Sequence, residues 1–336
     1  MKKSRLFFVV LSLCFLLGCG RTTVDSTQPP SGDETAPDSA LQMPDGMKEL
    51  VENPSTQLMG GMLVILKNAE MTQRISQESY EVYTDPGDEV RATVTVQNGL
   101  DKMQRFDFMV FADGIPVEFT VDGKSYLSYP VDLAPQQKTF EVAFPKEFAL
   151  NLGRLDFVMS FAENLQQAYH MITYTVWITL DGYPTLPTSL CSTVEQRVGV
   201  QNSYSGNTYN SWIWNEDVTP VDTDNAGPTA VSIQEGEKVL WEAITGRPGY
   251  YRTVLVVNDT PVEFNINGEK YPYLDWESTG SNMLQIPVTI ADIDSSSCIY
   301  TITTPLDTTN RALSILASGK TELTVTEGGK TDGTGN

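Results

Sequence analysis

The chain has 336 residues, 22 Lys plus Arg against 43 Asp plus Glu, a net charge of −21, and one histidine. A polyanion of this strength repels phosphate backbones, which argues against nucleic acid as a partner. A single histidine excludes multi-histidine metal sites and leaves one candidate for histidine-assisted nucleophilic chemistry. With 40% hydrophobic residues the composition is that of a globular protein, not of a disordered acidic chain.

The chain opens with a cationic Met-Lys-Lys-Ser-Arg, followed by the apolar run Leu6 to Leu17, in which Ser12 is the one strongly polar residue. Twelve residues cannot span a bilayer core, which needs about 20, but they fit a secretory leader. The leader ends in Leu16-Leu17-Gly18-Cys19, which resembles the lipobox of bacterial lipoproteins. The resemblance implies that residues 1–18 are a signal peptide and that Cys19 is the lipid attachment site. It further implies palmitate-type acylation and a protein held to membrane lipid, facing the extracytoplasmic side at the cell surface or in the periplasm. Several acyl chains on one residue anchor far better than a single chain. Losing Lys2, Lys3 and Arg5 with the leader leaves 19 positive against 43 negative residues, a net −24. Such a body is not drawn onto an anionic membrane surface.

From Cys19 to Gln57 the chain is rich in Pro, Ser, Thr, Asp and Gly and lacks aromatics, a linker composition. After residue 58 short apolar runs with period-2 alternation take over, separated by Gly, Asn, Asp and Pro. They predict strands at Met62–Lys67, Tyr80–Thr84, Glu89–Gln97, Arg105–Ala112, Pro116–Val121, Thr139–Phe144, Leu155–Phe161 and Tyr169–Thr179. Asp85-Pro86-Gly87 and Asn98-Gly99 read as turns. No amphipathic helix of ordinary length is visible, so the pattern predicts an all-β sandwich.

An internal duplication organises the rest. Pro116-Val-Glu-Phe-Thr-Val-Asp-Gly-Lys-Ser-Tyr126 recurs 145 residues on as Pro261-Val-Glu-Phe-Asn-Ile-Asn-Gly-Glu-Lys-Tyr271, with six of eleven positions identical. Val117, Phe119 and Val121 are expected to alternate inward with Glu118 and Thr120 outward, and Val262, Phe264 and Ile266 repeat this with Glu263 and Asn265. Asp122-Gly123 and Asn267-Gly268 supply the positive φ of type I′ hairpin turns. Each copy reads as an apolar strand, a two-residue polar break, a V-x-F strand and a later Pro-containing turn. This order resembles the immunoglobulin-like modules of bacterial surface proteins, including the CARDB type, and implies two tandem immunoglobulin-like antiparallel β-sandwich domains. With a boundary near Asp181-Gly-Tyr-Pro-Thr-Leu-Pro-Thr188, the expected organisation is signal peptide 1–18, linker 19–57, sandwich 58–184, sandwich 185–327 and tail 328–336.

Cys14 leaves with the leader, so Cys191 and Cys298 remain in the second module. An even pair in an exported protein reads as a disulfide closing a 107-residue loop, or else as two separate buried thiols. Catalytic signatures are scarce: there is no G-x-S-x-G, H-E-x-x-H, C-x-x-C or Walker-type loop. His170 lies at the start of a predicted strand and reads as structural. Glu118 and Glu263 sit in different modules and read as solvated strand faces. Asp222-Thr-Asp-Asn-Ala-Gly227 begins like an EF-hand loop but has Ala226 at position 5 and Ile233 at position 12, so the EF-hand assignment fails. The stretch reads as a polar turn or as a looser calcium site among loop acids, and no metal site or cofactor is assigned. The most suggestive stretch is Gln201 to Asp217, where Tyr204, Tyr209, Trp212 and Trp214 are interleaved with Asn and Ser. Flat aromatics beside amides are the chemistry of paratopes and sugar platforms, which makes Tyr209, Trp212 and Trp214 ligand-binding candidates. Alternatively, Trp212-Ile213-Trp214 is a strand of the sandwich core. The expected function is therefore non-catalytic, either binding an envelope protein or glycan or acting as a structural spacer of the envelope.

Overall fold

Alternation of β-branched and polar residues sets up the strands: in Arg91–Asn98, Ala92, Val94 and Val96 are buried while Thr93 and Thr95 face outward. The computed structural model describes residues 60–326 apart from 68, 77, 85–89, 100, 146–152, 162–170, 180–194, 198–208, 216–229, 235–236, 246, 281–282, 290–295 and 308–312. Among the described residues every regular element is a strand.

The first module carries β1 (Gly60–Lys67), β2 (Ala69–Arg74), β3 (Ser79–Thr84), β4 (Arg91–Asn98), β5 (Gln104–Ala112), β6 (Ile115–Pro116), β7 (Phe119–Val121), β8 (Lys124–Tyr126), β9 (Tyr129–Leu133), β10 (Gln137–Ala143), β11 (Arg154–Phe161) and β12 (Met171–Thr179). The second carries β13 (Glu195–Arg197), β14 (Tyr209–Asn215), β15 (Ala230–Gln234), β16 (Lys238–Thr245), β17 (Gly249–Val257), β18 (Thr260–Val262), β19 (Phe264–Ile266), β20 (Glu269–Tyr271), β21 (Leu274–Ser278), β22 (Met283–Thr289), β23 (Ser296–Pro305), β24 (Leu316–Ala317) and β25 (Thr321–Thr326).

Each module is an immunoglobulin-like sandwich of two sheets. In the first, β1-β4-β10-β7-β8 faces β2-β3-β12-β11-β5-β6, with β9 added on β5. In the second, β14-β16-β22-β19-β20, with β13 beside β22, faces β15-β25-β23-β17-β18, with β21 on β17 and β24 on β23. Apart from β2 in the first module and β13 and β24 in the second, the strand orders correspond, including one parallel pair in each module, β3 with β12 and β15 with β25. The repeat offset is preserved in the backbone: β5, β7, β8 and β9 recur as β17, β19, β20 and β21 at 145 residues' distance. No described strand pairing joins an element up to β12 with one from β13 onward.

The hairpin chemistry is as the sequence predicts. Asp122 and Gly123 have φ of 51° and 75°, and Asn267 and Gly268 have 54° and 89°. They close two-residue loops between Val121 and Lys124 and between Ile266 and Glu269. One expectation changes. Pro116–Val121 is not a single strand: Ile115–Pro116 pairs with β5 in one sheet, and Phe119–Val121 pairs with β8 and β10 in the other. Val117 and Glu118 carry the chain between the sheets. A proline lacks the N–H that a continuing ladder needs, so the crossing falls just after it.

Each module has its own core. In the first, the Phe108 ring contacts Phe119, Phe140 and Phe157 at centroid distances of 5.4, 5.2 and 6.2 Å. In the second, Tyr251 stacks on Trp276 at 4.9 Å and Trp241 meets Phe264 at 5.5 Å. A third apolar cluster belongs to both. Met109, Phe111 and Val158 of the first module pack with Val254, Val256, Tyr300, Ile302 and Ile315 of the second. This cluster forms because β5, β11, β17 and β23 bury side chains on both of their faces.

Candidate functional site

The seam between the modules is built twice from the same surface. Met109 and Val254 are equivalent positions of the repeat, as are Phe111 and Val256, and all four lie in the shared cluster. The contact is therefore isologous in kind, like the interface of a two-fold dimer, but made within one chain. The register extends the equivalence. Asp107 pairs with Ser160 and Arg252 pairs with Thr304, and residues 107 and 252 are equivalent. The turns after β5 and β17 match too, with positive φ at Asp113 and Gly114 in one and at Asn258 and Asp259 in the other. The two ends of the seam have diverged in charge.

At the first end, Asp259 Oδ1 accepts hydrogen bonds from Ser160 Oγ at 2.9 Å, Tyr300 OH at 2.8 Å and Lys320 Nζ at 2.8 Å. Lys320 Nζ also donates to the carbonyl of Phe161 at 2.6 Å, so it grips the opposite module. Its side chain is fully buried. Asp107 stands next to this group, and burial, reinforced by the Asp259 charge, pushes its carboxyl up to about 6, against the pull of Arg105 and Lys320. Burial likewise drives the Tyr300 hydroxyl well above its ordinary value.

At the second end, the Arg154 guanidinium holds both oxygens of Asp156 at 2.7–2.9 Å, and Thr175 Oγ1 donates to Asp156 Oδ1 at 2.6 Å. Arg154 also lies over the Trp177 ring, 5.0 Å from its centroid. Arg252 forks onto Asp275 at 2.7 and 2.8 Å, covers Tyr273 at 4.1 Å, and donates from Nη1 to the main-chain oxygen of Asp113 across the seam at 3.0 Å. Burial pushes the Asp113 carboxyl up to about 6, against the hydrogen bonds it accepts from the amides of Gly153 and Arg154.

Of the residues singled out in the sequence, Tyr209, Trp212 and Trp214 all fall on β14, the edge strand of its sheet. Among the described residues β14 pairs with β16 alone, Trp212 opposite Glu242 and Trp214 opposite Leu240. Ile213, between the two tryptophans, is buried in the second core. Glu242 and its hydrogen-bond partner Gln285 are buried on neighbouring strands. Cys298 is half-buried with a free thiol that burial pushes up to about 11, whereas Cys19, Cys191, His170 and Asp222–Gly227 lie outside the described residues. Glu118 and Glu263 are exposed, as expected of solvated faces. A cleft of about 190 Å³ opens beside Thr245, Arg247, Tyr251, Pro305 and Leu316 in the second module. Among the described residues no group of His, Cys, Asp and Glu is placed to hold a metal, and no helix is long and apolar enough to cross a membrane.

Sequence reasoning missed the seam. The signal for it was present in Phe106-Asp-Phe-Met-Val-Phe-Ala112 and in Val254-Leu-Val-Val257, where apolar residues run on instead of alternating, the mark of a strand covered on both faces.

No family model and no curated protein matches the chain. Among solved structures it is similar to the YadV chaperone, at 11% identity over 78% of this chain and 99% of that one, with a TM-score of 0.24. It is also similar to red sea bream transglutaminase, at 8% identity over 79% of this chain and a TM-score of 0.20, where it spans 32% of that chain's length. The calcium-binding domain CBD12 of CALX1.1 matches at 12% identity over 79% of this chain and 100% of that one, with a TM-score of 0.20. Likenesses this low carry no functional argument.

Proposed function

We propose that the chain is a lipid-anchored extracytoplasmic protein that presents two docked β-sandwich modules for non-catalytic contact with a protein or glycan. The observation that carries this reading is the placement of Tyr209, Trp212 and Trp214 together on the edge strand β14. An edge offers main-chain donors and acceptors along one side, and aromatics with amides between them offer low-entropy contact area. Glycan-array and pull-down measurements on residues 58–327 test it. A ligand found this way loses at least about tenfold in affinity on Trp212→Ala or Trp214→Ala. A clean negative on both measurements, or full affinity in both variants, ends the binding reading.

The anchor is tested separately. Cys19→Ala is expected to move the protein from the membrane fraction to the soluble fraction, because this one residue, the first after the leader, carries all the acyl chains. Retention at the membrane would contradict the lipobox assignment.

The seam favours a second reading, a structural spacer of the envelope. Two modules joined by a shared apolar cluster and by hydrogen bonds at both ends form a stiffer element than two beads on a string. Binding measurements separate the readings, since a spacer without a ligand is indifferent to the β14 aromatics.

A further inference from the structure

Beyond either reading, we infer that the Asp107–Asp259–Lys320 end of the seam is a proton-operated latch, tightening the docking of the two modules in mild acid and loosening it toward neutral pH. The basis is the charge count in a dry place. One ammonium, Lys320, is enclosed with two carboxyls contributed by different modules, Asp107 from the first and Asp259 from the second. Lys320 is committed to Asp259 and to the Phe161 carbonyl. Ser160, paired with Asp107 in the sheet, donates its hydroxyl hydrogen bond to Asp259. When Asp107 is protonated, the site is neutral. When it ionises, the docked state holds one uncompensated negative charge facing another, and separating the modules relieves it.

The described groups facing this site are Asp107 and Arg105 on β5, Asp132 on β9, and Asp259 at the β17–β18 turn. Tyr300 and Cys298 on β23, Lys320 ahead of β25, and Glu322 on β25 opposite Cys298 complete the set. Arg105 and Asp132 are exposed, so solvent screens them far more than the buried three. The direction follows by linkage. A carboxyl with an ordinary value of 3.8 that is held at about 6 when docked binds its proton more tightly in the docked state. Docking therefore gains as pH falls from 6 toward 4 and loses as pH rises through that window, by up to about 100-fold in the docking equilibrium. This runs opposite to the acid weakening expected of paired carboxylates.

Two methionines make the latch readable in the full chain. Met109 lies in the seam cluster and Met159 in the first module's own core, and both are fully buried. Oxidation by dilute hydrogen peroxide, followed by peptide mass spectrometry, reports the opening of each place. Between pH 5 and pH 7.5 the Met109 rate is expected to rise by roughly tenfold while Met159 stays level. Asp107→Asn, nearly isosteric and unable to ionise, should remove most of the rise in the Met109 rate. Asp113→Asn, at the opposite end, should leave the Asp107-dependent part of the rise in place. The inference is overturned if Met109 and Met159 rise together, if Met109 does not respond to pH, or if Asp107→Asn retains the whole rise.

Discussion

Replacing Arg154 with leucine is expected to destabilise the folded chain by about 3–5 kcal/mol, read as a fall in the urea midpoint at pH 7 without a large change in slope. Arg154 is 3% exposed and Asp156 is 0% exposed. The guanidinium supplies three of the hydrogen bonds that reach the carboxylate, with Thr175 supplying a fourth. Removing the cation leaves a charge in the interior between β5 and β12 with a single hydroxyl for company. The Trp177 ring also loses the planar group lying over it. The cost should arise mainly from the stranded charge and not from lost attraction, because desolvating two ions offsets most of what their pairing returns. A second substitution decides this point. Arg154→Leu combined with Asp156→Leu should recover most of the loss, since no charge is then left behind. If the single variant is as stable as the native chain, Asp156 is not held as an anion by Arg154, and the account of this end of the seam is wrong.

The fold was legible where its causes are local. The I′ turns at Asp122-Gly123 and Asn267-Gly268 follow from which residues tolerate positive φ, and the alternation in Arg91–Asn98 follows from one sheet face being wet. The duplication was legible because the V-x-F strand and its hairpin need the same residue types in both modules. Elements stabilised from far along the chain were not. Strand β2 has three polar residues among its last three and a bulge at Thr72, which reads as loop until β3 is there to pair with it. The seam is hidden for a related reason. Lys320 reaches Phe161, 159 residues away, and no periodicity in either segment announces the meeting. In a chain with 43 acids, Asp107, Asp113 and Asp259 carry no distinguishing mark. Burial in the contact between modules separates them from solvated carboxylates. The candidate β14 aromatics were found by composition, and their gathering on one edge strand by topology.

Glycine at position 114 is the residue on which the close approach of the modules depends most directly, and Gly114→Ala is expected to cost about 2–4 kcal/mol. Gly114 has φ of +78°, and a Cβ there would lie 2.9 Å from the Thr304 Cβ and 3.2 Å from Arg252 Cδ of the other module. Two costs are thus superposed, the strain of a side chain at positive φ and the overlap across the seam. Gly123 separates them. Its φ of +75° is nearly the same, but nothing lies within 4 Å of the added methyl, so Gly123→Ala should cost only the backbone part, about 1–2 kcal/mol. The excess at Gly114 measures how tightly the seam closes at the Arg252 end. Its repeat equivalent, Asp259, shows what the same turn position becomes when a side chain is accommodated: it turns into the seam and is held by Ser160, Tyr300 and Lys320. Equal losses for the two alanine variants in denaturant melts would mean that the modules are not held against one another at Thr304, and the seam would then rest on its apolar centre alone. A larger loss at Gly114, together with faster oxidation of Met109 than of Met159 in that variant, would place the extra cost in the docking of the modules and not in the hairpin.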